Sequence, residues 1–315
     1  MSATTTTPLV LTVPRPLTEH PAAVYISSLA PGSEETMRQS LNFIAGLLTN
    51  GEADYLTLDW AALRYKNTAA IRSALGKKYQ PVTANKMLSA LRRVLKEALR
   101  LDLMSPVDYA KAVDLESFKA RSTLRGRALT QKEIDSLMSV CFSDRTLTGY
   151  RDAAIIALLR ATGIRRSELV NLNMKDCNLA SGEVKIQRGK GGVDRTVYLP
   201  DSVSTIIKQW VEIRNNAPGS LFCKINKSGR VIQGKLTPQA IRVILQKRGV
   251  EAGIEPFSPH DLRRTFVSDL LDAGHDLVTV QQLAGHTNPT LTARYDRRGE
   301  ERKRRAVKSL EVPTR

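Results

Sequence analysis

Four short clusters in the second half of the chain combine arginine, lysine, histidine and tyrosine. The residues concerned are Arg165, Lys190, His260, Arg263, His286 and Tyr295. Arginines offer planar, permanently charged donors to an anion, and histidines exchange protons near neutral pH. A lysine could protonate a leaving oxygen, and a tyrosine could attack phosphorus to form a covalent ester. Together these side chains suit the cleavage of a phosphodiester.

Each of these residues also has an ordinary structural explanation. Arg165 could be a surface arginine just past a helix end, and Lys190 a polar turn residue. His260 could cap a helix N-terminus, and His286 could belong to a helix C-cap. Tyr295 could be a core tyrosine. Any one cluster could therefore arise by chance, whereas the occurrence of all four in this order favours a shared site.

The elements that must position the clusters are mostly helices. Thr130 and Glu133 form a capping-box signature, and Gly163 and Gly285 are placed as helix ends. Strand-like segments flank a Gly–Lys–Gly–Gly turn and predict a β-hairpin. The predicted helices are 131–141, 149–161, 201–215, 238–248, one from 258–259 to about 274, and 277–284, and the hairpin strands are 183–188 and 193–199. The pattern predicts a fold that is mainly α with a small antiparallel β-sheet.

The clearest helix of the first half is predicted to follow Thr83 as its N-cap. Its apolar stripe consists of Met87, Leu88, Leu91, Val94, Leu95, Ala98 and Leu99. Another face carries the candidate DNA-binding residues Lys86, Arg93, Lys96 and Arg100. A basic helix face either is simply solvated or contacts a DNA backbone, and both interpretations stay open.

The chain is predicted to contain two domains joined by a basic segment. The predicted segments are a flexible N-terminus (1–20), a helical domain (21–117), a linker (118–127), a second domain (128–298) and a tail (299–315). Arg121 and Arg125 of the linker are further candidates for contact with phosphates. Ala306, Val307 and Leu310 give the basic tail a small apolar face, which either docks on a neighbouring subunit or frays on DNA.

Composition narrows the class of partner. The net charge is +17 and the pI is near 10.0, which favours a polyanion such as double-stranded DNA. No apolar run is long enough to span a bilayer, and the N-terminus lacks the features of a signal peptide. Three widely spaced cysteines and no CxxC pair disfavour disulfide and zinc frameworks. We therefore expect a cytoplasmic protein.

Taken together, the clusters resemble those of the tyrosine recombinases, or phage integrase family. The matching features are Arg165, Lys190, the His260-x-x-Arg263 pair, Gly285–His286 and Tyr295 nine residues later. The resemblance is strong over about 128–298, which is similar to the catalytic domain. It is weaker over about 20–115, which is similar to the helical, SAM-like core-binding domain. The layout resembles Xer-like and transposon-borne members that lack an arm-binding domain. Such members come from prokaryotes, phages or mobile elements, and the resemblance implies a protein associated with the nucleoid.

The resemblance implies a site-specific recombinase in which Tyr295 forms a 3′-phosphotyrosyl intermediate. Four protomers would pair two sites and exchange strands through a Holliday junction, with or without accessory proteins. No metal, ATP or other cofactor is implied. Glu168 would support the site by orienting its basic residues, unless it forms only a surface salt bridge. A type IB topoisomerase-like enzyme and a non-catalytic DNA-binding regulator remain the alternatives.

Overall fold

The computed structural model describes residues 9–30, 32–119, 126–187, 194–286 and 307–308. The chain divides into two compact units, residues 1–123 and 124–315. Helices dominate both, and the strands form small antiparallel sheets. The predicted fold class is therefore confirmed. No helix among the described residues is long and apolar enough to cross a membrane.

The first unit is helical. Its helices are α1 (Pro21–Ser27), α2 (Glu34–Thr49), α3 (Tyr65–Lys78), α4 (Pro81–Arg100) and α5 (Pro106–Val113), with a 3₁₀ turn at Trp60–Ala62. Helix α4 packs against the other four helices and contributes much of the core. Its predicted stripe is buried from Met87 to Ala98, whereas Leu99 at the end is half-buried.

The predicted start of α4 at Thr83 is wrong. The N-cap is Gln80, three residues earlier, and the helix begins at Pro81. Proline suits the first turn of a helix because its missing N–H would have no intrahelical partner there. The proline therefore determines the boundary, and Thr83 lies inside the first turn.

Part of the segment that composition predicts to be flexible contacts the first unit. The backbone N–H of Leu11 donates to the Thr57 carbonyl at 2.8 Å, and Val10 pairs with Leu58. His20 is buried and its Nδ1 accepts a hydrogen bond from the Ala23 N–H at the start of α1. Residues 9–20 thus include contacts that composition alone does not reveal.

The second unit surrounds one buried helix. Its helices are α6 (Gln131–Ser143), α7 (Leu147–Thr162), α8 (Arg166–Asn171), α9 (Asp201–Ile213), α10 (Pro238–Glu251), α11 (Pro259–Asp272) and α12 (Leu277–Ala284), with a 3₁₀ turn at Met174–Asp176. Helix α7 packs against α6, α9, α10 and α11, which confirms its predicted burial. Its Asp152 is buried with Arg248, whose Nε donates to Asp152 Oδ2 at 2.9 Å. The ion pair satisfies two charges that would otherwise be costly to bury.

Two antiparallel sheets complete this unit. The strands are β1 (Cys177–Asn178), β2 (Glu183–Ile186), β3 (Arg195–Tyr198), β4 (Cys223–Ile225) and β5 (Val231–Lys235). Strands β2 and β3 form the predicted hairpin, with Val184 opposite Val197 and Ile186 opposite Arg195. The turn that holds Lys190 lies outside the described residues. The β4–β5 pair was not predicted, because its second strand is largely exposed and has no apolar alternation.

Both ends of the predicted basic linker are attached. Phe118 donates its backbone N–H to Asn85 Oδ1 at 2.8 Å within the first unit. Arg127 donates its backbone N–H to Asp261 Oδ1 at 3.0 Å and pairs with Glu133 at 2.7 Å within the second unit. Arg121 and Arg125 lie between these attachments, outside the described residues.

Candidate active site

Arg165 and Glu168 form one corner of the site at the start of α8. Arg165 is the N-cap residue, and its backbone N–H donates to Glu168 Oε2 at 2.8 Å. Its guanidinium Nη1 donates to Oε1 of the same carboxylate at 2.9 Å. The alternative of a surface salt bridge is wrong, because the Glu168 side chain is only 4% exposed. A buried carboxylate thus holds the arginine from both its backbone and its side chain.

A second arginine, which we did not identify from sequence, completes this corner. Arg195 at the start of β3 donates from Nη1 and Nη2 to the two oxygens of Glu168, at 3.1 and 2.8 Å. Burial would raise the pKa of Glu168, but the hydrogen bonds from Arg195 and from the Arg165 N–H lower it to about 2. The carboxylate is therefore ionised at neutral pH and keeps both arginines in place.

The end of α12 brings His286 to the same corner. Gly285 adopts a left-handed conformation (φ 64°), and its carbonyl accepts a hydrogen bond from Arg165 Nη2 at 3.0 Å. The His286 backbone N–H closes the helix end by donating to the Gln281 carbonyl. The capping interpretation of His286 therefore holds for its backbone, while its side chain is buried.

Helix α11 supplies Arg263 and His260. Arg263 is buried, and its Nη1 donates to the carbonyl of Gly163, 2.7 Å away, at the left-handed end of α7. Ser258 is the N-cap of α11 and forms a capping box with Asp261, so the alternative that His260 caps this helix is wrong.

The two histidines titrate as members of one positively charged cluster. Burial, followed by the charges of Arg263 and Arg165, lowers the pKa of His286 to about 4, and His260 and Arg195 act in the same direction. Part of His260 is exposed to solvent, yet desolvation of its ring and the charge of Arg263 also lower its pKa. The structure therefore brings together Arg165, Arg263, His260 and His286.

The sequence left open whether Arg166 or Arg264 takes the place of its neighbour. Arg166 is exposed on α8. Arg264 is buried, and its Nη1 donates to the carbonyl of Gly126. Arg264 therefore binds the backbone next to Arg127. The geometry thus favours Arg165 and Arg263. Lys190 and Tyr295 lie outside the described residues.

The candidate DNA-binding residues of α4 differ in their surroundings. Lys86, Lys96 and Arg100 are exposed, whereas Arg93 is half-buried. Arg93 and Arg100 each pair with the buried Glu97 at 3.1 Å. Since a carboxylate already neutralises part of the charge of these two arginines, Lys86 and Lys96 are the stronger candidates for phosphate contact.

Two arginines and two imidazoles close enough for their charges to interact can bind an anionic phosphate and stabilise added charge on its oxygens. Among the described residues, no group of three or more His, Cys, Asp or Glu side chains is placed to share a metal ion.

The sequence profile of the phage integrase family matches residues 127–302, more than half of the chain. The chain belongs to this family. As a tyrosine recombinase, it is an enzyme that cleaves and rejoins DNA.

Relatives of this recombinase support a role in site-specific recombination. The tyrosine recombinase XerA of Pyrococcus furiosus is 33% identical over 266 residues, which cover 84% of each chain. The tyrosine recombinase XerC of Lactobacillus leichmannii is 29% identical over 241 residues, which cover 75% of this chain and 79% of its own. Because both alignments are longer than the second unit, they extend into the first unit.

Solved structures share the fold of the recombinase. The Tn1549 transposon integrase in complex with circular intermediate DNA is similar with a TM-score of 0.69 and 17% identity, over 93% of this chain and 99% of that chain. A lambda integrase dimer bound to a COC' core site gives a TM-score of 0.64 and 16% identity, over 90% of this chain and 77% of that chain.

The low pKa of His286 predicts a specific pH dependence. In the DNA-free recombinase, the ring protons of His286 should titrate near pH 4 rather than near the usual 6.5. Folding lowers the pKa of His286, so its neutral ring contributes to the stability of the folded protein. This contribution is fully present above pH 6.5 and is lost as the pH falls from 6.5 towards 4. NMR titration measures the midpoint, and His286→Gln assigns the signal. A midpoint at or above 6.5 would contradict the buried, arginine-flanked position.

Proposed function

We propose that this enzyme is a site-specific recombinase that works through a 3′-phosphotyrosyl intermediate formed by Tyr295. The observation that carries the proposal is the convergence of Arg165, Arg263, His260 and His286 from three separate helices and their ends. Such an arrangement is directed at an anion whose charge increases in the transition state.

The chemistry proposed for Tyr295 and Lys190 balances without an added reactant. The Tyr295 hydroxyl gives its proton to an imidazole of the site, and its oxygen attacks the scissile phosphorus and forms the new P–O bond while the bond to the 5′ oxygen breaks. Lys190 donates a proton to that leaving oxygen. In the reverse direction, a 5′-hydroxyl attacks the phosphotyrosine and displaces Tyr295. The phosphotyrosyl ester keeps the bond energy, so no ATP is consumed and no metal is required.

The arginines and histidines act on the phosphate itself. Arg165 and Arg263 donate to the non-bridging oxygens, and the fixed geometry of their guanidinium groups matches these paired acceptors. His286 is neutral at pH 7 in the DNA-free enzyme, because its pKa is about 4. A bound phosphate anion would raise that pKa, which allows the imidazole to exchange a proton during the reaction.

Recombination involves two DNA sites, and we propose that four protomers pair them and exchange strands through a Holliday junction. Accessory proteins are further candidate partners. A plasmid with two copies of the target site tests this proposal. Inverted or excised product supports recombination, whereas relaxed plasmid with unchanged site order supports a topoisomerase. DNA binding without any covalent adduct would support a non-catalytic regulator.

The role of Lys190 gives a test with a chemical rescue. We expect Lys190→Ala to cleave ordinary DNA slowly, because the 5′ oxygen then leaves without its proton. A substrate with a 5′-bridging phosphorothiolate should recover much of the rate, since sulfur leaves without protonation. Single-turnover cleavage of both substrates measures the difference. Equal defects on the two substrates would assign Lys190 to positioning instead of proton transfer.

The tail after Tyr295 should control assembly more than chemistry. Val307 and Lys308 are helical and exposed, and the rest of the tail lies outside the described residues. Truncation after Arg298 should leave single-site binding nearly intact, apart from some loss of electrostatic affinity, but sharply reduce cooperative occupancy of paired sites and recombination. Gel-shift titrations on one-site and two-site DNA measure these effects.

A charge-preserving variant serves as the control for the truncation. Val307→Asn with Leu310→Asn keeps every arginine and lysine of the tail while removing apolar contacts. If this variant recombines like the parent and only the truncation fails, the tail acts as an electrostatic DNA contact and docking on another protomer is wrong.

A further inference from the structure

Arg195 lies at the junction of three parts of the site but belongs to none of the sequence clusters. It is the first residue of β3 and follows the hairpin turn that carries Lys190. Its position opposite Ile186 places it on the same face of the hairpin as the buried Val197. The side chain is only 12% exposed. A charged residue on the buried face of a strand needs a partner of opposite charge.

Glu168 is that partner, and it connects Arg195 with Arg165. The two carboxylate oxygens accept four hydrogen bonds, two from Arg195 and two from the side chain and backbone of Arg165. Parallel bonds from one guanidinium fix the plane of the carboxylate. That plane in turn determines where Arg165 Nη1 can bind. The orientation of Arg165 therefore depends on Arg195 through Glu168.

Arg195 also packs against the turn that carries His286. A Cβ on Gly285 would lie 2.8 Å from the Arg195 Cζ, so the guanidinium occupies the space that a side chain at 285 would fill. The carbonyl of Gly285 accepts the second guanidinium bond of Arg165. Arg195 thus contacts both of the groups that hold Arg165.

We propose that Arg195 is a positioning residue that attaches the base of the β2–β3 hairpin to the Arg165–Glu168 corner and to the Gly285 turn. It acts through Glu168 and not by contacting the phosphate. This inference rests on the proposed function for its effect on cleavage, while its effect on His286 is a property of the DNA-free protein.

A double-mutant cycle between Arg195 and Glu168 tests the proposal. Arg195→Met should reduce the single-turnover cleavage rate about 10²-fold, the scale expected when a reacting group is misplaced by about 1 Å, with DNA affinity little changed. Glu168→Gln should give a similar loss, and the double variant should be no slower than the slower single variant. Losses that multiply in the double variant would overturn the proposal, because Arg195 would then act independently of Glu168.

Lys185→Met is the matched control. It removes one positive charge from the exposed face of neighbouring strand β2 and should cleave DNA like the parent. If Lys185→Met and Arg195→Met lost the same factor in cleavage rate, the effect of Arg195 would come only from its positive charge, and the proposal would be overturned. If Arg195→Met does not fold, Arg195→Lys carries the same cycle, because lysine keeps the charge but cannot form two parallel bonds to one carboxylate.

The titration of His286 separates this inference from the proposed function. Arg195→Met should raise the His286 midpoint above about 4 in DNA-free protein, since a nearby positive charge is lost and the charge of Glu168 is less compensated. Arg195→Lys should leave the midpoint near its original value while cleavage still falls. An unchanged midpoint in Arg195→Met would overturn the placement of Arg195. A parent protein that never cleaves DNA would contradict the proposed function instead, and the titration would still decide the position of Arg195.

Discussion

Tyr295→Phe should bind target DNA with the affinity of the parent enzyme and form no covalent protein–DNA adduct. The substitution keeps the aromatic ring and removes only the oxygen that would attack phosphorus, so packing should be little affected. Cleavage should fall below detection because no other group of the proposed mechanism forms the ester. Trapping on nicked suicide DNA, followed by denaturing electrophoresis, measures the adduct.

Tyr198→Phe is the appropriate control for this experiment. Tyr198 lies on β3 of the same unit and is largely exposed, so loss of its hydroxyl should leave adduct formation unchanged. If Tyr295→Phe still gives a protease-sensitive adduct, the nucleophile is another residue and the assignment of Tyr295 is wrong. Mapping the trapped DNA ends by sequencing would also define the target site.

Arg165→Ala and Arg263→Ala should each lose about 10² to 10³ in cleavage rate, the usual effect of removing one donor from a preorganised anionic site. DNA binding should change far less, because affinity is distributed over many phosphate contacts. Single-turnover cleavage and equilibrium binding at one fixed salt concentration measure the two effects. A loss of affinity equal to the loss of rate would place these arginines in the general DNA-backbone contact.

Arg166→Ala provides a charge-matched control, since Arg166 is exposed and adjacent to Arg165. It should keep nearly the full cleavage rate. Arg263 is buried and hydrogen-bonded to the Gly163 carbonyl, so its loss could also destabilise the fold. Thermal unfolding of Arg263→Ala is therefore measured together with its cleavage rate. Arg263→Lys adds a further comparison, because it keeps the charge but loses the planar guanidinium.

Local signals predicted the elements of the second unit well. The Thr130–Glu133 capping box and the left-handed Gly163 both lie where the sequence placed them, because each signal acts through hydrogen bonds within a few residues. The start of α4 was placed three residues late, because Thr83 was taken as the N-cap in place of Gln80, which precedes Pro81. The β4–β5 pair was missed because exposed strands lack the alternation that reveals a buried face.

The candidate site was harder to predict in full. The motif residues could be found because their types and order match the family, but the partners of Arg165 depend on long-range packing. Arg195 is 27 residues from Glu168 in the chain. One signal was present in the sequence. Arg195, Val197 and Leu199 occupy alternate positions of the predicted strand 193–199, and the last two of these residues are apolar. An arginine in that pattern indicates a buried ion pair, although the pattern does not identify the carboxylate.

The carbonyls of Gly163 and Gly285 each hold an arginine that comes from another segment. An arginine side chain carries about 2 kcal/mol of rotamer entropy at room temperature. In this protein, much of that freedom is lost when the chain folds, before any DNA arrives. The entropic penalty of ordering the two guanidinium groups therefore falls on protein stability and not on the reaction barrier. Such stiffness also gives selectivity, because an anion of different shape meets donors that do not adjust to it.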